Sequence, residues 1–210
     1  MTDLVLMSTL IQNRADKLLL ASGSGARKRI LENAGLVFDV EVSAVDENHL
    51  KQMGRQQNCS ADTVALRLAE AKALSVEKPD TLVIGADQIL SCEGIWYDKP
   101  EGLDGARQQL LQLRGKTHTL HTAVILCFNG LVLWRHVGKP SLTMRLFSHE
   151  FVEQYLITEG EACLGSVGAY RLEGPGIHLF AAVEGDAFTI QGLPLLPLVA
   201  ALRELKVLQD

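Results

Sequence analysis

Asp87 is the side chain whose surroundings most demand a chemical explanation. It follows the apolar start of TLVIGADQIL, residues 81–90, a β-rich run interrupted at Gly85-Ala86-Asp87, so a carboxylate is expected at the end of a buried strand. A charge there must be solvated, paired or bound to a cation, because a bare buried carboxylate is too costly. Asp87 is therefore a site candidate, with a cap for the turn after Gly85 as the alternative. A second constellation lies upstream, where Ser22-Gly23-Ser24-Gly25 is followed by Arg27. Small residues let backbone N–H groups approach a phosphate, and serine hydroxyls and a guanidinium add donors. Ordinary strand-to-helix turn chemistry is the competing reading. Glu47, in the pair Asp46-Glu47, and Lys72 and Lys99 each read alone as solvated surface charges.

Other candidates exclude more than they propose. The dinucleotide fingerprint fails because Lys28 stands where its third glycine belongs, and no Walker A pattern occurs. His118 and His121, three apart on an expected strand, fall on opposite faces, a poor geometry for one metal. Cys59, Cys92, Cys127 and Cys163 lie far apart without a C-x-x-C pair, which points to reduced, mostly buried thiols. Neither Ser22 nor Ser24 sits in a G-x-S-x-G elbow, so serine acyl transfer is not expected.

These side chains need elements to position them. KLLLAS, residues 17–22, is a short buried strand that delivers the glycine-serine loop. Ser24 caps the next helix, Arg27, Lys28 and Arg29 fall in its first turns, and Gly35 ends it. Cations at a helix N-terminus oppose the macrodipole, so an anion bound there would relieve them. FDVEVSAV, residues 38–45, alternates as a strand. Ser60 opens a helix with Val64, Leu68 and Ala71 on one stripe, reaching Lys72 before Pro79 stops it. LDGARQQLLQL, residues 103–113, is a helix closed by Gly115. HTLHTAVILCF and LVLWRHVG, joined by Asn129-Gly130, form a long hairpin with a type I′ turn, which argues against an all-parallel sheet. Ser148 caps a helix through Ile157, HLFAAVEGD is a strand, and Leu193-Pro194 starts a final amphipathic helix. The fold class is α/β: one mixed, twisted sheet with helices on both sides, in two lobes around a cleft. Residues 1–16 are expected as an N-terminal extension and 17–210 as a single domain.

Composition bounds the partners. A net charge of -5 argues against a broad surface for long nucleic acid, since such binding draws on Lys and Arg neutralising phosphates. A small polyphosphate can still be held where a few cations and N–H groups converge. The apolar start MTDLVLMSTLI is too short to span a bilayer and has no basic flank, so a cytoplasmic protein without a membrane partner is expected.

LASGSGARKRIL, VDE at 45–47, LAEAKA at 68–73, IGADQ at 84–88, DKP at 98–100, GAYRLEGPG at 168–176 and GLPL at 192–195, taken in order, resemble the Maf family of nucleotide pyrophosphatases. The resemblance implies a fold similar to inosine triphosphate pyrophosphatases, a divalent metal (Mg²⁺ or Mn²⁺) and a homodimer. It implies hydrolysis of a nucleoside triphosphate to the monophosphate and pyrophosphate. By the same resemblance Ser22, Ser24 and Arg27 are the phosphate-binding loop, Glu47 the acidic residue beside the metal, Lys72 and Lys99 phosphate contacts, and Asp87 the proton acceptor and second metal-side acid. The family's Ser-Pro-Arg-Arg is here Ser24-Gly25-Ala26-Arg27, one arginine fewer, with Lys28 or Arg29 as substitutes. Glu173 replaces a glutamine common in pyrimidine-preferring members, and the chain looks closest to the branch acting on 7-methyl-GTP. A nucleotide-binding regulator of division and septum formation, with little catalysis, is the alternative.

Overall fold

The structure is a computed structural model that describes residues 11–13, 17–76 and 78–209. Most of the N-terminal extension lies outside the described residues. Ile11 to Asn13 are tied in, through a bridge between Gln12 and Leu208 and a two-way hydrogen bond between the Gln12 amide and the Val37 backbone.

The chain runs through β1 (Lys17–Leu20), α1 (Gly25–Asn33), β2 (Asp39–Val40), α2 (Glu47–Gln56), α3 (Ala61–Ser75), β3 (Thr81–Cys92), β4 (Ile95–Tyr97) and α4 (Gly102–Leu113). It continues through β5 (Thr117–Phe128), β6 (Leu131–Gly138), β7 (Ser141–Met144), α5 (His149–Glu159), β8 (Phe180–Glu184), α6 (Ala187–Ile190) and α7 (Leu195–Glu204). The eight strands make one open mixed sheet in the order β2-β1-β3-β5-β7-β8, with β4 on β3 and β6 on β5. β1 is parallel to β2 and β3, and every other pairing is antiparallel. The expected α/β class with a mixed sheet is what forms.

The local reasons match the sequence where caps and turns are strong. Ser24, Ser60 and Ser148 cap α1, α3 and α5 by accepting from the N–H three residues on. Asn129 and Gly130 both take positive φ, the type I′ geometry of the β5–β6 hairpin. Odd residues of β3, among them Val83 and Ile89, pack under α3, while Leu82, Ile84 and Ala86 face a second core with α1 and α7. A third core gathers α4, α5 and the far end of β3 and β5. No helix among the described residues is long and apolar enough to cross a membrane.

Two expectations need correction. Residues 38–45 form only the two-residue β2, both residues exposed, because this edge strand has β1 on one side and no strand among the described residues on the other. β3 is not interrupted at Gly85-Ala86-Asp87; it runs unbroken to Cys92, since β5 pairs with it from Leu82 to Ser91. Gly85 is a close-approach residue instead: a Cβ there would lie 2.1 Å from the Ala69 carbonyl oxygen of α3.

Candidate functional site

β1 ends at Leu20 while β3 runs on, and this mismatch makes the site. The parallel pairing covers β3 only from Thr81 to Ile84, closed by the Ala21 N–H donating to the Ile84 carbonyl at 2.9 Å. Beyond Ile84, Asp87 keeps its β5 partner Ala123 but has no β1 neighbour. So Asp87 lies mid-strand in β3, at the place where the sheet loses a strand. A cleft of about 630 Å³ opens there, and Ser22, Ser24, Arg27, Glu47, Lys72, Asp87, Lys99 and Glu173 all line it. The structure thus brings these eight residues together, whereas Lys28 and Arg29, the expected substitutes for the missing arginine, are not among the lining residues and Lys28 pairs with Glu32.

The acids share one cation. Lys72, buried on α3, donates to Asp87 Oδ1 at 2.6 Å and lies 2.8 Å from Glu47 Oε1. Asp87 Oδ2 is buried and has no hydrogen-bond partner among the described residues. Partial burial pushes the Glu47 carboxyl up, but the hydrogen bond and charge of Lys72, with the charges of Lys51 and Lys99, outweigh it and hold the group below its ordinary value. Glu47 is the first residue of α2, whose N-cap Asp46 accepts from the His49 N–H at 2.9 Å.

The glycine-serine loop is built around a buried guanidinium. Arg27 Nε donates to the Gly192 carbonyl at 2.8 Å and Nη1 to Ser22 Oγ at 3.1 Å. Ser22 Oγ also accepts from the Ser24 N–H, so Arg27 and the loop fix each other at the N-terminus of α1. Burial pulls the Arg27 pKa down against the raising charges of Asp87 and Glu47. Gln88, on the other face of β3, donates to Thr122 Oγ1 and to the Thr189 and Ile190 carbonyls, which secures the turn carrying Gly192.

Glu173 is an exposed residue of the cleft lining, 3.9 Å from Arg29 of α1. The neighbouring Arg171 pairs with buried Glu159 at 2.5 Å and so does not consume the Glu173 carboxylate. The histidines are structural. His118 donates or accepts to Tyr170 at 2.8 Å, and burial lowers its pKa to about 4. His121 links Asp62 of α3 to Ser91 of β3. Three cysteines are buried and Cys59 is half-buried.

Lys51, Asp98, Gln88 and Arg171 also line the cleft and were not singled out. Helix α2, which carries Lys51, shows only a short apolar stripe, Leu50 and Met53, and Gly54 is its only buried residue. Its signal is the capping residue Asp46 followed by Glu47 in the first turn.

An open mixed sheet with a cation-bearing cleft, a capped serine-glycine loop at one wall and two acids on one lysine defines an α/β protein built to hold a polyanion. The model of the family described as Maf-like protein matches residues 17–205. A nucleoside triphosphate pyrophosphatase of Granulibacter bethesdensis is 51% identical over 190 residues, 90% of this chain and 96% of that one. A protein of the same name from Paramagnetospirillum magneticum is 52% identical over 188 residues, 89% and 97% of the two chains. The 7-methyl-GTP pyrophosphatase of Mesorhizobium japonicum is 48% identical over 192 residues, 90% and 96%. The chain belongs to the Maf-like protein family.

Proposed function

We propose that this protein hydrolyses nucleoside triphosphates between the α- and β-phosphates, with Asp87 as general base. The reading rests above all on Asp87 Oδ2, a buried acceptor without a partner beside a cleft of nucleotide size. Oδ1 stays on Lys72, which orients the carboxylate. Oδ2 accepts a hydrogen bond from a water and takes its proton as that water attacks the α-phosphorus in line. The α–β bridging bond breaks and its electron pair leaves with pyrophosphate; Asp87 then returns the proton to solvent. Arg27 and the N–H groups opening α1 hold phosphate oxygens, and Lys99, exposed and without an ion pair among the described residues, meets charge developing on the leaving group. A regulator that only bound nucleotide would have no use for an unpartnered ionisable acceptor in the cleft lining.

The donors fit a divalent cation. Glu47 and Asp87 supply hard carboxylate oxygens, one of them unpartnered, while no cluster of three or more His, Cys, Asp or Glu ligands occurs among the described residues. That suits Mg²⁺ or Mn²⁺, which take one or two carboxylates plus water and substrate phosphates. When bound, the ion would draw charge onto the phosphate oxygens as a Lewis acid. Glu173, free of Arg171, is the base-reading acceptor in this proposal, favouring guanine-type over pyrimidine nucleotides. A cytoplasmic homodimer completes it, the subunit count being read by light scattering.

The test is hydrolysis of a nucleoside triphosphate panel with Mg²⁺ or Mn²⁺ in ¹⁸O-labelled water. Label in the monophosphate with release of pyrophosphate is the expected result. Orthophosphate as the first product would refute attack at the α-phosphorus, and full activity in excess EDTA would refute the metal.

A further inference from the structure

The cleft holds a cation that the proposed mechanism leaves unused. Lys51 lies one turn after Glu47 on α2, the spacing that sets both on the same helix face. Both line the cleft, and the Lys51 side chain is only 12% exposed. Its ammonium lies 2.6 Å from Asp98 Oδ1, and Asp98 has a second cation, Arg55, 3.4 Å from Oδ2. Arg55 is half exposed and sits over the Trp96 ring, 5.4 Å from its centroid. One carboxylate therefore holds two cations. If Lys51 turned to another anion, Asp98 would keep Arg55 and water, so the exchange leaves no buried charge unpaired.

Lys72 and Arg27 lack that freedom. Lys72 already carries two carboxylates, and Arg27 is committed through Nε and Nη1 to Gly192 and Ser22. A triphosphate brings several negative charges, and Lys99 alone is an incomplete match for its outer end.

We propose that Lys51 is a phosphate-binding residue of this cleft, which leaves Asp98 to hold the outer phosphates of the substrate and then the pyrophosphate product. This rests on the triphosphate reading above, and it adds a role for α2: the helix brings Glu47 to the acid pair and Lys51 to the leaving group. Asp98 is then the resting partner of the ammonium, an anion that the phosphate displaces when substrate arrives.

The experiment is calorimetric binding of inorganic pyrophosphate with Mg²⁺ to the full chain, alongside steady-state hydrolysis. Lys51→Met, which keeps the aliphatic stem and removes the charge, is expected to weaken pyrophosphate binding on the order of 10-fold, the scale of one charge-assisted hydrogen bond. Lys51→Arg restores most of it, and inhibition by the nucleoside monophosphate is unchanged in both. Asp98→Asn separates binding from architecture: it releases Lys51, so pyrophosphate binding is expected to hold or tighten. If Asp98→Asn weakened binding as much as Lys51→Met, the pair would serve only to hold α2, and the proposal would fall. Undiminished binding by Lys51→Met would overturn it as well, with the triphosphate reading intact. No pyrophosphate binding by the wild-type protein would overturn both.

Discussion

Replacing Gly85 by alanine tests whether the contact between α3 and β3 sets the geometry of the acid pair. The added Cβ would lie 2.1 Å from the Ala69 carbonyl oxygen and 2.8 Å from Ala73 Cβ, both on the buried face of α3. An ordinary carbon–oxygen contact is about 3.3 Å, so α3 has to retreat by about 1 Å or β3 has to bend. Backbone of a packed helix is the obstacle, not the far end of a flexible side chain, and overpacking of this kind costs about 1–3 kcal/mol. The function suffers separately. Lys72 is one turn from Ala69, and its bonds to Asp87 at 2.6 Å and Glu47 at 2.8 Å leave no slack for such a shift. A misplacement of about 1 Å can cost roughly 10²-fold in rate. Urea unfolding and kcat measured on Gly85→Ala are expected to show both losses, with the fall in kcat persisting under conditions where the variant is fully folded. A variant of wild-type stability and wild-type kcat would refute the claim that this close approach positions Lys72.

Three further outcomes follow from the site and its support. Asp87→Asn is expected to bind nucleotide nearly as wild type but to turn over at least about 10²-fold more slowly, read by single-turnover kinetics; a near wild-type rate would remove Asp87 as the base. His118 is buried and neutral, its pKa lowered by burial from 6.5 to about 4, so the unfolded chain takes up a proton first as pH falls. Stability is therefore expected to be whole above pH 6.5 and to decline through that window toward pH 4, by up to about 3 kcal/mol. Urea midpoints at pH 7 and 4.5 check this, and a His118→Gln variant with the same acid loss would assign it elsewhere. Glu173→Gln is expected to shift kcat/KM toward UTP and dTTP relative to GTP and 7-methyl-GTP by on the order of 10-fold, the scale of one bidentate base contact; an unchanged ratio would exclude Glu173 from reading the base.

What could be read from the sequence depended on local signals. Ser24, Ser60 and Ser148 announce three helices because a cap is a property of a few adjacent residues. Asn129-Gly130 announces the hairpin for the same reason. Helix α2 was not legible, since its only apolar side chains, Leu50 and Met53, make a stripe too short to stand out. β7 went unseen too: SLTM is four residues long, and its strand character comes from β5 and β8 on either side. The position of Asp87 was half legible. Its apolar approach was plain, but whether β3 stops or loses only a neighbour is decided by where β1 ends, many residues away. Each acid and lysine looked like a surface charge alone, and their sharing of one ammonium is a matter of tertiary distance.

The stitching of the cleft distributes its compliance unequally. Gln88 fastens β3 to β5 and to the turn after α6, and Arg27 fastens that turn to the loop before α1. These parts are cross-linked and backed by buried cores on both sheet faces. Helix α2 joins them through less apolar surface, Leu50 against the α3 core and Gly54 against Val64, and through ion pairs at Glu47, Lys51 and Arg55. Segments with few buried apolar contacts open at low free energy. The softest wall of the cleft is therefore the one carrying an acid and a lysine, and the exposed part of its fastening, Arg55 on Asp98, is the part that salt screens.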